Sequence, residues 1–429
     1  MYYKLTLVVD SNTFKADDPL QYELVSTNTS TNGEIIPNIS KTDITGTSIE
    51  LGSGHFVKAN NAKHTYLLKI YYPKKATSQN ANQGAAFNAH VEITSTKAPT
   101  VSNLAETILA KNEVKTPITT PGAAISTASE ALLASAEDDY GTSYYFRGAV
   151  KNNYVEFANK CWRIVRVSGD GSVKLILHND NTTGVANPCD AANNNASAAF
   201  ARYSGTTYIS AFNENANDNA YVGFKFGTPG SSTYEATHAN TNKSTILTNL
   251  ETWYNDDLST YEKVIADTVW CNDKTNVTDT TYDPWNWNPN GLGFGTNTTY
   301  YGATQRLVSK NNSAGGTGPS LKCTGELSKI TSKVGLITAD ELAFAGYAWN
   351  IGNTTTYLQE NATDTYWWSL SPDLFIGNLA RFWIVDGSRG ASFNGYVNGA
   401  YGLRPSISLK STTNVTGEGT SSSPFIISM

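Results

Sequence analysis

The chain has 429 residues, of which only 16% are charged, and its formal net charge is −6 at pH 7. Soluble domains usually carry about 25% charged residues, so side-chain amides and hydroxyls must hydrate much of this surface. The acidic balance and the absence of any Lys/Arg run argue against a nucleic-acid partner, and no segment approaches the ~20 apolar residues of a membrane span. The length predicts two or three domains, and the richness in Asn, Thr, Ser, Gly and Tyr is typical of binding loops and of secreted bacterial surface proteins.

Within residues 1–95, three segments alternate apolar with polar side chains: 3–9, 66–72 and 87–93. Alternation with a period of two, with turn residues between the segments, predicts half-buried antiparallel strands and hence an N-terminal β-sandwich. Because the first strand pattern begins almost at Met1, we expect the native protein to carry a leader and an anchoring segment ahead of it. Any association with a membrane would then come from that anchor alone.

Residues 96–139 differ in composition from both of their neighbours. Ser102 is placed to cap a short helix that carries Leu104, Ile108 and Leu109 on one face. The rest of the segment is rich in Pro, Ala, Ser and Thr, which is typical of a flexible linker. We therefore predict the domain boundary in this segment, followed by a second domain at 140–429.

The pattern from residue 140 onward predicts an α+β domain in a chain that is mostly β. The turn sequence at 168–171 contains an Asp-Gly pair between two apolar strand patterns and indicates a β-hairpin. Two helices follow, one capped by Ser244 and one by Thr338, with Glu341 completing a capping box. The region 271–320 is rich in Asn and Gly and is predicted to be loop, and the chain ends in further strands.

The four cysteines bear on the compartment of the protein. Cys161, Cys189, Cys271 and Cys323 form no Cys-x-x-Cys pair and have no His at metal-ligand spacing, which argues against zinc. Of the three possible pairings we predict the sequential one, Cys161–Cys189 and Cys271–Cys323, with each bridge contributing roughly 3–4 kcal/mol. Disulfides are typical of secreted proteins. Reduced thiols in a cytosolic protein are the alternative.

The N-terminal motifs DDPLQYEL, TSIELGSGHFV, HTYLLKIYYP and QNANQGAAFNAHVEI occur in this order within residues 1–95. In this respect the segment resembles the TasA/camelysin family of secreted bacterial matrix proteins. The resemblance implies a cell-surface or fibre-forming setting. Camelysins have been described as proteases, but the chain has no His-Glu-x-x-His motif or other catalytic cluster, so that activity is not carried over.

The second domain contains the motifs YYFRGAV, CWRIVRV, VGLITADELAFAG, YWWSLSP and YGLRPSISLK in order. It resembles bacterial surface proteins whose terminal domain has the C-type-lectin-like fold in its formylglycine-generating-enzyme variant, and also the variable proteins of diversity-generating retroelements. The resemblance implies two helices, long loops and a ligand-facing surface, in places diversified, near the C-terminus. We therefore place the expected ligand surface at 366–405.

The composition of residues 366–405 supports a binding surface, because large aromatic rings, planar Arg and adaptable amides are enriched in binding hot spots. The candidate ligand-binding residues are Asp373, Phe375, Asn378, Arg381, Trp383, Asp386, Arg389, Phe393, Tyr396, Asn398 and Tyr401. Trp162 and Trp367 are expected to be structural core residues. Arg404 belongs to a Gly-x-Arg-Pro pattern that opens the last strand in the family, and it is expected to tie loop carbonyls or a carboxylate together.

Little in the sequence indicates catalysis or a cofactor. The formylglycine-generating reaction relies on two late cysteines that bind copper, and no cysteine follows Cys323. No His belongs to a recognisable nucleophile motif. We expect no cofactor and no metal site; calcium remains an alternative because 213–215 and 217–219 offer side-chain oxygens, although the sugar-binding Glu-Pro-Asn motif of true C-type lectins is missing. The aromatic segment 283–288 is either a second platform for sugar stacking or a loop staple.

The expected function is therefore extracellular recognition by a secreted or cell-surface bacterial protein. Its ligand would be a protein or glycan on another cell, a phage or a host surface, and the protein would not be an enzyme. A structural fibre or pilus-type subunit without a specific ligand is the alternative, and an enzyme of the formylglycine-generating fold is the third.

Overall fold

The computed structural model describes residues 2–27, 33–56, 63–76, 78–96 and 102–428. It divides the chain into two compact units, Met1–Val101 and Ser102–Met429. The described residues are mostly β with a few short helices, which confirms the predicted fold class. Within them, no helix combines the length and the apolarity that crossing a membrane requires.

The first unit is a sandwich of two antiparallel sheets. Its strands are β1 (Tyr2–Asn12), β2 (Gln21–Ser26), β3 (Gly33–Glu34), β4 (Ile39–Asp43), β5 (Ser48–Phe56), β6 (Tyr66–Tyr71) and β7 (Phe87–Thr96). One sheet has the order β3-β5-β1-β7 and the other the order β4-β2-β6. Tyr3, Leu5 and Leu7 of β1 are buried with residues of β2, so the alternation at 3–9 marks the core face, as predicted. On the edge strand β7 the alternation is the same, but Val91 and Ile93 remain 43% and 68% exposed.

The second unit contains the remaining elements. Its strands are β8 (Ser102–Asn103), β9 (Ala131–Asp138), β10 (Gly141–Gly148), β11 (Tyr154–Phe157), β12 (Lys160–Val167), β13 (Val173–Asn179), β14 (Ile209–Ser210), β15 (Lys225–Phe226), β16 (Asn242–Lys243), β17 (Thr268–Cys271), β18 (Thr299–Tyr300), β19 (Lys329–Ser332), β20 (Trp367–Ile376), β21 (Leu379–Asp386), β22 (Ala391–Tyr396), β23 (Tyr401–Gly402), β24 (Ser406–Leu409), β25 (Asn414–Thr416) and β26 (Phe425–Ile427). Its helices are α1 (Leu104–Lys111), α2 (Tyr234–His238), α3 (Thr245–Asp257), α4 (Gly302–Leu307) and α5 (Ala339–Ala345).

Two sheets organise the second unit. The larger runs β24-β13-β12-β11-β26-β25-β8, and β10 joins it by pairing with β12 and β9. It contains the predicted hairpin, since β12 and β13 are antiparallel and the turn at 168–171 connects them. The smaller sheet runs β14-β23-β20-β21-β22, with β18 beside β20. This second sheet carries most of the expected ligand surface.

The predicted helix caps are confirmed at two of three helices. The Ser244 side chain accepts a hydrogen bond from Leu247 N at the start of α3, and Thr338 and Glu341 form a complete capping box at α5. At α1 the cap is Asn103 rather than Ser102, because the helix begins at Leu104 and the Asn103 side chain accepts a hydrogen bond from Glu106 N. The region 271–320, predicted as loop, contains β18 and α4; α4 has six residues and no side-chain cap, so no local signal announced it.

The segment 102–139 belongs to the second unit, so the domain boundary lies at its start and not within a flexible linker at 96–139. Leu104 and Ile108 of α1 are buried in the main core, and β9 pairs along its length with β10. Glu130 and Arg147 form a fully buried ion pair at 3.0 Å. Small residues had indicated a linker, but here they pack closely against the sheet and α5.

Both predicted disulfides are confirmed. Cys161–Cys189 joins β12 to the loop that follows β13, and Cys271–Cys323 joins the end of β17 to the segment before β19. The Cα atoms are 5.0 Å and 5.5 Å apart respectively. Each bridge therefore closes a loop within the second unit.

Candidate ligand-binding surface

The expected ligand stretch forms the antiparallel ribbon β20-β21-β22. In its register Arg381 lies opposite Tyr396 and Trp383 lies opposite Asn394. Because neighbouring side chains on a strand point to opposite faces, these four residues share one face of the ribbon. The alternate residues of β21 point into the main core, as Phe382 does.

Four of the candidate contact residues are buried, which corrects the expectation that they face a ligand. Trp383 is fully buried because α4 and α5 cover its part of the ribbon face, and its indole N–H donates to Thr304 Oγ1 at 3.2 Å. Phe375 belongs to the main core. Asp386 accepts hydrogen bonds from the main-chain N–H groups of Ser388 and Arg389, and so holds the turn between β21 and β22.

The fourth buried residue, Asp373, lies beneath the same face. Its Oδ1 accepts a hydrogen bond from Thr304 Oγ1 at 2.6 Å, and its Oδ2 has no hydrogen-bond partner among the described residues. Burial raises the pKa of Asp373 to about 7, although the hydrogen bond from Thr304, the side chain of Asn394 and the charge of Arg381 oppose the rise. A carboxyl group in this state is only partly ionised at neutral pH.

Arg381 is the centre of the part that remains accessible. Its guanidinium carbon lies 5.2 Å from the ring centroid of Trp287 and 4.7 Å from that of Tyr396, within the range of cation–π contacts. Its Nη1 donates to Asn394 Oδ1 at 3.4 Å and its Nη2 to Tyr396 Oη at 3.3 Å, both of which are long hydrogen bonds. Tyr396 itself is 43% exposed.

Trp287 reaches Arg381 from the distant loop 283–288. Asp283 fixes this loop by accepting hydrogen bonds at 2.8 Å each from Trp287 N, Asn288 N and Tyr300 Oη. Burial alone would raise the pKa of Asp283, but these hydrogen bonds outweigh burial and lower it. The carboxylate is therefore held in its ionised form, in which it is the better acceptor.

Two further indoles extend the surface. The Trp285 ring lies 5.3 Å from that of Trp287 and 5.5 Å from that of Trp349, and the Trp349 ring contacts the buried Trp383 at 5.1 Å. The indole N–H groups of Trp285 and Trp349 both donate to Asn312 Oδ1, at 2.8 Å and 3.1 Å. We call the surface formed by Trp285, Trp287, Trp349, Arg381 and Tyr396 the aromatic ledge; all five are half-buried or exposed.

A repeated local signal underlies the aromatic ledge. Each of its three tryptophans is followed by an Asn, and these Asn residues have positive φ angles: 59° for Asn286, 53° for Asn288 and 54° for Asn350. Asn adopts the left-handed region more readily than most residues because its short side chain bonds locally. The Trp-Asn pairs thus turn the chain directly after each indole. The sequence left the role of 283–288 open and did not indicate Trp349 or Asn312; the threefold Trp-Asn pattern was the available signal.

The other candidate residues lie outside the ledge. Phe393 and Tyr401 are half-buried and lie on the face of β22 opposite the ledge. Their ring centroids are 5.4 Å and 5.6 Å, respectively, from that of Tyr366. Arg389 is exposed, pairs with Asp386 and donates to Asn350 Oδ1 at 3.2 Å. Asn378 and Asn398 are exposed in the turns that follow β20 and β22.

The residues expected to be structural are all buried. Trp162 donates from its indole N–H to Phe157 O, and Trp367 packs against the guanidinium of Arg404 at 4.9 Å. Arg404 donates to the carbonyl oxygens of Leu177 and Leu358. It therefore joins β13 to the segment before β20 through main-chain carbonyls, without a carboxylate partner among the described residues.

The arrangement of the acidic, His and Cys side chains bears on whether the second unit could hold a metal ion. The described part of the chain contains no group of three or more His, Cys, Asp or Glu side chains arranged to hold a metal ion. Two of the residues that had suggested a calcium site form hydrogen bonds within the protein. The Asp218 carboxylate accepts from Ala220 N and Gly230 N, and the Asn213 side chain donates to Tyr221 O.

No protein-family profile matches this chain, and no curated protein and no solved structure is significantly similar to it. The function must therefore be argued from the site itself and not from the fold.

Proposed function

We propose that this protein recognises an extracellular ligand non-covalently, through the aromatic ledge of its second unit. The observation that carries the proposal is the convergence of three distant segments, namely the loop 283–288, Trp349 and the β21–β22 ribbon, on one accessible cation–aromatic surface. Trp, Tyr and Arg are the residues most enriched in binding hot spots. Enzymatic activity forms no part of the proposal.

The fixed geometry of the ledge supports a binding role. Asp283 holds the loop that carries Trp287, and Asn312 holds both Trp285 and Trp349 through their indole N–H groups. Side chains that are already ordered lose less conformational entropy when a ligand binds, so more of the contact energy appears as affinity.

The setting we propose is the outside of a bacterial cell, on a secreted or anchored protein. Two disulfides are present in the second unit, and disulfides persist in oxidising compartments. The low content of charged residues and the resemblances described above agree with this setting. Partners would then be proteins or glycans on another cell, a phage or a host surface.

The experiment that tests the proposal compares ledge variants with a matched tyrosine elsewhere. Trp287→Ala and Tyr396→Ala are expected to weaken binding at least about tenfold, because hot-spot truncations cost about 2 kcal/mol or more. The control is Tyr140→Ala, since Tyr140 is 57% exposed in the same unit and outside the ledge. Binding is measured on glycan arrays and by flow cytometry on intact bacterial and host cells, with circular dichroism and thermal unfolding to verify the fold.

One result would overturn the proposed function. If both ledge variants bind like the wild type while the fold is intact, the ledge is not the recognition surface. A structural fibre subunit is the second candidate, favoured by β7, which lies at the edge of its sheet among the described strands and exposes Val91 and Ile93. Such edges invite pairing with another copy of the chain. That function predicts no binding phenotype for any ledge variant.

A further inference from the structure

We infer that the aromatic ledge takes an acidic carbohydrate, with the carboxylate of a uronic-acid unit paired to Arg381 and a sugar ring stacked on Trp287 or Tyr396. This inference rests on the proposed function and names the ligand class of the same surface. It is carried by the charge state of the ledge and by the chemistry of its rim.

Arg381 differs from the other arginines of the chain in its partners. All eight arginines lie in the described residues, and five of them pair with a carboxylate: Arg147, Arg163, Arg166, Arg306 and Arg389. Of the other three, Arg404 is fully buried and Arg202 donates to the carbonyl groups of Ser197 and Phe200. Arg381 is the remaining one, and it is the one that lies on the ledge.

The neutral partners of Arg381 leave its charge available. Its two hydrogen bonds, from Nη1 and Nη2, go to an amide and a phenol at 3.4 Å and 3.3 Å, and because its Nε is buried a ligand would meet the two Nη groups. The carboxyl group that interacts with it, Asp373, has its pKa raised to about 7 by burial and is thus a weak counter-charge at neutral pH. A planar guanidinium presents paired N–H donors that match a carboxylate in two parallel hydrogen bonds.

The rim of the ledge favours a carbohydrate over a protein. Aromatic rings here alternate with exposed amides, because Asn286, Asn288 and Asn350 each follow a tryptophan. Sugars present apolar C–H faces that suit half-exposed rings, together with hydroxyls that suit amide donors and acceptors. A protein hot spot, in contrast, needs a contiguous apolar centre that is fully desolvated, whereas each tryptophan of the ledge is followed by an exposed amide.

The experiment uses the full-length protein and purified oligosaccharides of matched length. The probes are oligogalacturonate, the same oligomer with its carboxylates reduced to primary alcohols, and neutral malto-oligosaccharide, measured by isothermal titration calorimetry at 20 mM and 200 mM NaCl. The expected result is binding of the oligogalacturonate alone, weakened at the higher salt because exposed charge pairs are screened. The variants are Arg381→Gln, Arg381→Lys and Trp287→Ala.

Arg381→Gln is expected to lower the affinity for oligogalacturonate at least about tenfold, and Arg381→Lys by less, since Lys keeps the charge but not the paired donors. The control is Lys243→Gln, which removes an exposed cation that pairs with Glu251 in the same unit; its affinity should equal that of the wild type. Each variant is checked by thermal unfolding, so that loss of the fold is not mistaken for loss of the contact.

Each contrary outcome has a distinct meaning. Equal binding of acidic and neutral oligomers, lost in Trp287→Ala but kept in Arg381→Gln, would overturn the acidic ligand and leave the proposed function standing. Binding of poly-glutamate but of no oligosaccharide would overturn the carbohydrate in favour of an acidic protein segment. Failure of every oligosaccharide to bind at millimolar concentration also overturns the inference, whereas cell binding that no ledge variant alters would overturn the proposed function as well.

Discussion

At the scale of single residues, Asp373 links the stability of the ledge to pH. The folded protein raises the pKa of this carboxyl group to about 7, from about 3.9 in an unfolded chain. The folded state therefore holds a proton that the unfolded state has lost, and the resulting contribution to stability is fully present below about pH 4 and disappears as the pH rises through 7.

Asp373→Asn removes this titration while keeping the size of the side chain and an acceptor for Thr304 Oγ1. We expect the variant to gain stability over the wild type as the pH rises from 5 to 8, by about 2 kcal/mol. The measurement is urea unfolding of both proteins at the two pH values, followed by tryptophan fluorescence. All other groups titrate equally in both proteins, so an unchanged difference between pH 5 and pH 8 would contradict the assignment.

Residues also show where sequence reasoning reached its limit. The period of two in a strand is enough to place Arg381 and Trp383 on one face of β21 and Phe382 on the other, and the register agrees. The period could not show that α4 covers Trp383 and leaves Arg381 open, because α4 is hidden in a region whose composition indicates loop. A ligand can reach a strand residue only if no other element packs over its side chain. Which elements pack there is determined by contacts between residues that are distant in sequence.

At the scale of elements, the start of α5 combines a local and a long-range contact. Glu341 Oε2 accepts from Thr338 N, as the capping box predicted, while Oε1 accepts from Lys174 Nζ at 2.6 Å and Arg166 Nε at 2.9 Å. Burial would raise the pKa of Glu341, but Lys174 and Arg166 outweigh it and lower the pKa to about 2. The capping box can be predicted from four consecutive residues of the sequence. The contacts of Glu341 with Arg166 of β12 and Lys174 of β13 cannot, because these residues are distant in sequence.

Glu341→Gln can keep the cap but leaves buried Lys174 without a carboxylate partner among the described residues, whereas Arg166 keeps its pair with Asp138. We expect the free energy of unfolding to fall by about 3–5 kcal/mol, since breaking a buried pair leaves uncompensated charge. Glu326→Gln is the control, because its exposed pair with Lys329 contributes at most about 1 kcal/mol. Urea unfolding at pH 7 measures both.

The pH dependence provides a second check on the same variant. Because the pKa of Glu341 is lowered in the folded state, its stabilisation is present above about pH 4.5 and is lost as the pH falls toward 2. The difference between the wild type and Glu341→Gln should therefore shrink below pH 4. Equal losses for Glu341→Gln and Glu326→Gln at pH 7 would show that the network does not stabilise the unit.

At the scale of the whole molecule, the cysteine pairing and the β-rich class followed from the sequence, but the start of the second unit did not. The segment 102–139 has the composition of a linker, and composition was the signal used. The structure gives it a strand pair with β10, a helix that buries Leu104 and Ile108, and a buried carboxylate, Glu130, that neutralises Arg147. Small residues that pack against a sheet leave no periodic hydrophobic pattern in the sequence. Such a segment therefore has the same composition as a flexible linker.

The boundary can be tested with two shortened chains. A chain that begins at Ser102 should unfold cooperatively at the same temperature as the second unit in the full-length protein, because its core and ion pairs are complete. A chain that begins at Tyr140 lacks β9, α1 and Glu130, so it exposes core surface and leaves Arg147 buried without its carboxylate; we expect a loss of several kcal/mol. Differential scanning calorimetry compares the two. If the shorter chain is insoluble, Glu130→Gln in the full-length protein makes the same test, and a melting temperature unchanged in that variant would mean that 102–139 does not stabilise the unit.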